Sequence, residues 1–355
     1  MGQSKRCLTL LVVAASFFGT VRCSGNHAVL IDTSRLWTNY RHSSNVLSFY
    51  TVLRDLGFPD DRISMFLNGD VACSSLKTEA GTVFHTRGHN LYSNLYSDIK
   101  GDEISRDSIA RLLKGKHRPF TPRARRLMLS EESRLFVFLT GHSGIGFAKI
   151  QDLEEYSAAD ISATLHEMSE LGRYHQMLWV ADTCRAASIH NSFYSPNIMA
   201  LGSSAERQSS YSRHGDNQLG VSIVDRFSYH AESFLNSTLR NRKNLSLTVN
   251  DFASLFDYNL LMSDVSLRTD FTDAHSYRLT DFLASPATVE QVRVVIRTFK
   301  VTAGSWDSSI TEILNRPGGS DEFEVVRNET NSRWLKSGSV FSAILFLVLV
   351  TYSFY

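Results

Sequence analysis

One histidine and one cysteine carry the chemistry that can be read most directly from this sequence. His142 stands in Thr140-Gly141-His142-Ser143-Gly144-Ile145-Gly146, directly after the apolar run 135–139. Cys184 stands in Ala181-Asp182-Thr183-Cys184-Arg185-Ala186, directly after the apolar run 177–180. A thiol near its ordinary pKa is mostly protonated at neutral pH. It needs a neighbouring imidazole to take its proton and later return it to a leaving amine. Glycines around His142 let a substrate backbone approach and leave amide N–H groups to face an oxyanion. Taken singly, a satisfied loop histidine and a buried structural thiol are the commoner readings. Together at the ends of successive strands, with room for one helical crossover between them, the two favour catalysis. A zinc site is the weaker reading, because no second Cys or His lies at ligand spacing from either residue.

The elements that would position this pair alternate between strand and helix. Buried strands are expected over 28–31, 62–67, 135–139, 177–180 and 197–201, and helices over 45–56, 104–113, 158–171 and 222–239. This pattern predicts an α/β fold, a doubly wound and mostly parallel sheet with helices on both faces. In such sheets chemistry sits beyond the carboxyl ends of the strands, where His142 and Cys184 fall. The segment 115–130 carries Lys116, Arg118, Arg123, Arg125 and Arg126. It reads as an exposed basic loop, either a solvated surface or a site for phosphate or a lipid headgroup. No internal repeat is present.

Composition narrows the function classes. The 37 Lys and Arg nearly balance the 36 Asp and Glu, so no global basic field exists to hold nucleic acid. Lys5 and Arg6 precede an apolar run to Val21, and the start reads as a signal peptide over 1–23. The mature chain then begins near Ser24. A globular domain is expected over 24–301, a polar stalk over 302–336 and an uncharged apolar segment over 337–355. That last segment reads as a membrane anchor or as a removable GPI-attachment signal. Either way the body faces a lumen or the exterior, and the sequons at Asn236, Asn244 and Asn328 agree. Cys7 and Cys23 fall in the signal segment. Cys73 and Cys184 remain, either as one disulfide or as a working thiol with an odd cysteine left for an intermolecular bridge.

The segments Ser34-Arg-Leu-Trp-Thr-Asn-Tyr-Arg-His42, Leu139-Thr-Gly-His-Ser-Gly144, Asp182-Thr-Cys184 and Tyr194-Ser-Pro-Asn-Ile-Met-Ala-Leu201 resemble the catalytic subunits of GPI-anchor transamidases. These are relatives of legumain and, more distantly, of caspases. The resemblance runs from about 27 to about 282 and implies a caspase/legumain-like sheet. It also implies His142 as general base and acid, Cys184 as nucleophile, and Asn39 beside the dyad. Gly144 or a neighbouring amide would form the oxyanion hole with the Cys184 N–H. Arg41, His42, Ser210 and Asp225 would line the substrate pocket. Internal roles stay open for these, with Arg41 and Asp225 as an ion pair and Ser210 as a loop hydroxyl. Asp60, the Ile63 carbonyl and Asp98 match a structural calcium site of the family, although Tyr96 stands where a further carboxylate is wanted. No cofactor is required for the chemistry.

The implied activity cleaves the C-terminal attachment signal of a proprotein. It passes the acyl group through a Cys184 thioester to the ethanolamine amine of GPI, at the endoplasmic reticulum membrane with the catalytic domain luminal. The implied partners are other transamidase subunits, a larger luminal one disulfide-linked through Cys73, together with the GPI lipid and proprotein substrates. Ser143 and Arg185-Ala186 depart from the family, which often has Gly after the histidine and Gln-Gly after the cysteine. A legumain-like asparaginyl endopeptidase is the rival reading, and a non-catalytic luminal scaffold is a rival of another class.

Overall fold

All five apolar runs form strands in the computed structural model, which describes residues 25–284 except 70, 78, 87, 93–98, 214, 242–243 and 271–273. The strands are β1 (Asn26–Asp32), β2 (Ile63–Leu67), β3 (Ile99–Lys100), β4 (Arg134–Thr140), a meander of β5 (Ser143–Gly144), β6 (Phe147–Ile150) and β7 (Glu154–Ser157), then β8 (Gln176–Asp182), β9 (Ile198–Gly202), a short hairpin of β10 (Gly215–Asp216) and β11 (Val221–Ser222), and β12 (Ser266–Arg268). The main sheet has the order β12-β9-β8-β4-β1-β2-β3. Every neighbouring pair in it is parallel except β12 with β9. The doubly wound, mostly parallel sheet expected from the sequence is therefore present.

The helices are α1 (Tyr40–Asp55), α2 (Arg106–Lys114), α3 (Ala158–Glu170), α4 (Ala186–His190), α5 (Arg226–Leu235), α6 (Val249–Ala253), α7 (Tyr258–Leu261) and α8 (Thr280–Leu283). They cover both faces of the sheet, and the strand sequences show why. Successive side chains point to opposite faces, so Ala28, Leu30, Phe136, Phe138, Leu178 and Val180 enter one core, with α1, α5 and α6. Val29, Ile31, Val137, Leu139, Met177 and Trp179 enter the other, with α2, α3 and α4. Continuous apolar runs are what a strand buried on both faces requires.

Two expected helices change their limits. The helix expected over 45–56 begins at Tyr40, because Ser43 and Asn45 are buried by polar contacts that hydrophobic periodicity does not register. The helix expected over 222–239 begins at Arg226. Ile223 and Val224 are β-branched, a preference against the helix, and Val221–Ser222 pairs with Gly215–Asp216. By contrast α2 is capped as its sequence suggests. Ser105 and Ser108 form a reciprocal box at the start, and Gly115 ends the helix at φ 67.

The described chain closes on itself at the amino ends of the parallel strands. Asn26 Nδ2 donates to the carbonyls of Asp281 (2.8 Å) and Ala284 (2.7 Å) at α8. Arg134, the first residue of β4, lies 3.8 Å from Asp281. Among the described residues no helix is long and apolar enough to cross a membrane. The segments 1–23, 302–336 and 337–355 lie outside them.

Phe138 has no exposed surface and stacks on Phe49 at 4.2 Å between ring centroids. Phe138→Ala is expected to cost about 3–5 kcal/mol of unfolding free energy, and Phe138→Leu clearly less. Denaturant unfolding of the two variants measures both.

Candidate active site

The register of the sheet brings the two candidate groups together. Strands β4 and β8 are neighbours with Thr140 opposite Asp182. His142 and Cys184 each follow two residues later, so both leave the same edge side by side. Gly141 makes the turn into His142 at φ 151. Cys184 heads a turn in which Arg185 adopts the left-handed conformation at φ 53 before α4 begins. The two turns are tied to each other. The Ser143 hydroxyl donates to the Cys184 carbonyl, and Thr183 Oγ1 donates to Ser143 Oγ and, at 2.7 Å, to the Cys184 carbonyl. Both His142 and Cys184 are half-buried.

Asn39 fixes the tautomer of His142. Its Nδ2 donates to the Arg35 carbonyl at 2.7 Å, which commits that end of the amide. Its Oδ1 therefore faces His142 Nε2, 2.9 Å away, and accepts the Nε2 proton. The lone pair is left on Nδ1, and Nδ1 is the basic atom. Burial holds the His142 pKa below its ordinary value, and the positive charge of Arg41 lowers it further. The imidazole is thus kept neutral and able to accept a proton. His42 packs edge-on against it, with ring centroids 5.2 Å apart and an interplanar angle of 84°. His42 is itself held by the Ser34 hydroxyl at Nδ1 and is depressed well below the usual histidine range, chiefly by burial.

The meander after His142 decides which amides are available. Lys149 N–H donates to the His142 carbonyl at 2.9 Å. Antiparallel pairs alternate between bonded and non-bonded, so Gly144, opposite Phe147, is bonded within the hairpin, while Ser143, opposite Ala148, turns its N–H away from it. The Cys184 N–H has no hydrogen-bond partner among the described residues. The amide left to face an oxyanion is therefore that of Ser143, the residue next to Gly144. On the other side of the thiol, the Ser210 carbonyl lies 3.8 Å from Cys184 Sγ.

Beneath this edge lies a layer of buried carboxylates. Asp225 accepts from Arg41 Nε at 3.1 Å and from Asn45 Nδ2 at 2.6 Å, and its Oδ2 lies 3.6 Å from His42 Nε2. Asp182 accepts from the hydroxyls of Ser210 (2.8 Å) and Ser228 (2.7 Å). Asp32 accepts from Ser34 N–H and the Ser43 hydroxyl. Burial raises the pKa of all three. For Asp32 the value reaches about 7, and Asp225 is raised further by the charge of Asp182 while Arg41 opposes the rise.

Arg41, His42, Ser210 and Asp225 thus lie together beside His142 and Cys184, with Arg41 and Asp225 joined as an ion pair. Asp182 and Asn45 belong to the same network and were missed from sequence. A carboxylate ending the apolar strand 177–180, two residues before the candidate nucleophile, was the available signal for Asp182. No comparable signal marks Asn45, which reads as an ordinary polar helix residue yet bridges Thr140 (3.1 Å) and Asp225.

The remaining candidates lie elsewhere. Asp60 Oδ1 accepts from Tyr50 (2.7 Å) and Arg54 Nε (3.1 Å). Ile63 lies inside β2, and Asp98 lies outside the described residues. No disulfide joins Cys73 to Cys184, and Cys73 is exposed. Asn244 is exposed, and its Oδ1 accepts from Ser246 N–H (3.1 Å) and the Ser246 hydroxyl (2.8 Å). Asn236 is half-buried with its amide bonded to Glu232. Asn328 lies outside the described residues.

A Cβ at Gly141 would stand 2.0 Å from Thr33 Oγ1, on a backbone that L side chains rarely adopt. Gly141→Ala is expected to destabilise the fold by about 1–3 kcal/mol and to displace His142. Urea unfolding reads the first effect. Slowed turnover in protein that remains folded reads the second.

Residues 26–254 match the peptidase C13 family. The GPI-anchor transamidase of Saccharomyces cerevisiae is 40% identical over 267 residues, covering 74% of this chain, which spans 64% of the length of that relative. The GPI-anchor transamidase of Mus musculus is 34% identical over 306 residues, covering 84% of this chain and 75% of the mouse protein. Caspase-1 from Spodoptera frugiperda, a crystal structure, aligns with a TM-score of 0.41 at 10% identity, over 74% of this chain and 91% of that one. The chain belongs to the peptidase C13 family, alongside the GPI-anchor transamidases of yeast and mouse.

Proposed function

We propose that this cysteine-dependent enzyme is the catalytic subunit of a GPI transamidase, with Cys184 as nucleophile and His142 as the base and acid. The observation that carries the reading is the Asn39–His142 bond at the register-matched ends of β4 and β8. It leaves Nδ1 unprotonated on an imidazole kept neutral by its surroundings. The names of the relatives supply the acceptor.

In the first half-reaction His142 Nδ1 takes the Cys184 proton as Sγ attacks the carbonyl carbon at the cleavage site. The oxyanion is met by the N–H groups of Cys184 and Ser143. Collapse breaks the C–N bond, His142 returns the proton to the departing amine, and a thioester remains. In the second half-reaction the ethanolamine amine of GPI attacks the thioester carbonyl. His142 accepts the ammonium proton and gives it to the departing Cys184 sulfur. Arg41, His42, Ser210 and Asp225, with Asp182 beneath them, hold the residue at the cleavage site. Their polar ends are mutually paired, and this suits a small residue better than a long charged one.

Transfer to an amine requires that water lose the competition for the thioester. That is achieved at the luminal face of the endoplasmic reticulum membrane, with the C-terminal apolar segment as anchor and a larger luminal subunit bonded through exposed Cys73. Asn244 is the better presented of the two described sequons.

Transfer and hydrolysis separate in the presence of hydroxylamine. A signal peptide cut by the assembled enzyme should yield mainly hydroxamate by mass spectrometry, and Cys184→Ala should lower the rate by about 10³-fold or more. Mainly free acid would identify an asparaginyl endopeptidase instead. Unchanged GPI anchoring by Cys184→Ala in depleted cells would leave only a scaffold.

The pH profile tests the assigned base. Because burial and Arg41 depress His142, the acid limb of kcat/KM lies below the ordinary histidine value of 6.5. Removing the cation favours imidazolium, so Arg41→Gln should move that limb to higher pH and depress activity selectively on the acid side. A limb that stays in place sinks the assignment of His142 as base.

A further inference from the structure

The basic loop remains outside this mechanism. Between Lys116 and Arg126 the chain carries Lys116, Arg118, Arg123, Arg125 and Arg126 with no carboxylate, in a protein whose formal net charge is +1. This stretch is not simply spread over the surface. With α2 and β3 it bounds a cleft of about 400 Å³, lined by Arg111, Lys116, His117, Arg118, Arg125 and Glu103.

The pairing of each cation shows what is left for a ligand. Arg126 is spent on the backbone, donating to the carbonyls of Thr121 (2.7 Å) and Pro119 (2.9 Å), and so braces the loop. Arg125 places two nitrogens on Glu103, at 3.2 and 3.3 Å. Lys116 is held by Glu167 of α3. Arg111 reaches only Asp107, at 3.9 Å on an exposed helix face, which is a weak pairing. Arg118 has no ion-pair partner among the described residues. His117 adds a second observation: its Nε2 is shut off from solvent and has no hydrogen-bond partner among the described residues. Such an atom is costly to leave unmet.

We propose that this cleft binds a phosphate ester, with Arg111 and Arg118 as its charged ligands. Guanidinium groups match the oxygens of a phosphate in pairs, and two of them approach from different elements, the helix and the loop. The volume suits a small group rather than the surface of an acidic protein. Phe120 stands between Pro119 and Pro122 and is 95% exposed, beside the cations on the same loop. An apolar tip next to a basic cleft suits a phosphorylated lipid headgroup, with the ring entering the lipid layer. A free phosphate ester would use the same cleft without Phe120.

The site stands apart from Cys184, and its failure would leave the transferase reading untouched. The test uses the full chain in neutral detergent, titrated with inorganic phosphate and with phosphatidylinositol 4-phosphate in mixed micelles. Saturable binding is expected in both arms, weakened about tenfold or more in each by Arg111→Gln/Arg118→Gln. Both side chains are exposed, so the double variant should fold, and its thermal midpoint checks this. Arg123→Gln removes one charge from the same loop outside the cleft and should change neither arm. Phe120→Ser should weaken the lipid arm alone if a lipid is the source, and neither arm if a soluble ester is. Absence of saturable binding, or equal loss with Arg123→Gln, overturns the proposal. So does a polyglutamate peptide that binds this loop and cannot be displaced by phosphate.

Discussion

The parallel pairing of β4 with β8 is the constraint on which the rest of this structure depends. Once Thr140 stands opposite Asp182, the residues two positions further on must emerge as neighbours from one edge. That register is strongly specified, because a slip of one residue would turn each strand's side chains to the wrong core. Phe138 and Val180 belong to one apolar core, Leu139 and Ala181 to the other. The position of a thiol relative to an imidazole is thus set by hydrophobic packing several residues away. The polar contacts around the pair refine an arrangement that burial has already imposed.

Those polar contacts have a cost that the fold arranges to offset. Asp32, Asp182 and Asp225 are buried near one another, with Arg41 the cation paired to Asp225. Burial in this poorly solvated layer pushes each carboxyl upward, and the charge of Asp182 raises Asp225 further. Hydroxyl and amide donors from Ser34, Ser43, Asn45, Ser210 and Ser228 satisfy the oxygens without adding charge. This explains why a helix as polar at its start as α1 packs inward. Ser43 serves Asp32 and Asn45 serves Asp225, and their burial is the reason the helix begins at Tyr40.

Strand positions were legible in the sequence because burial on both faces leaves an uninterrupted apolar signature, as in 135–139 and 177–180. The candidate dyad was legible because a strand end precedes each member and glycines flank His142. Less was legible where structure rests on polar complementarity. Asn45 bridges Thr140 and Asp225 across long sequence separations, and neither residue type nor periodicity announces such a bond. The family resemblance implies Gly144 or a neighbouring amide for the oxyanion, and the hairpin ladder, visible only in three dimensions, turns the neighbouring Ser143 N–H outward. Likewise Ile223 and Val224 favoured extended chain before α5, a local preference that hydrophobic content alone concealed.

The clasp of Asn26 on Asp281 and Ala284 has a consequence for how the working edge can be reached. It gathers the first strand and the last helix of the described chain at the amino ends of the strands, whereas His142 and Cys184 lie at the carboxyl ends. Asn26 and Ala284, at the two ends of the described chain, thus both lie at the pole opposite the reactive sulfur. The first strand and the last described helix therefore leave the edge that carries the reactive sulfur uncrowded, open to an incoming polypeptide.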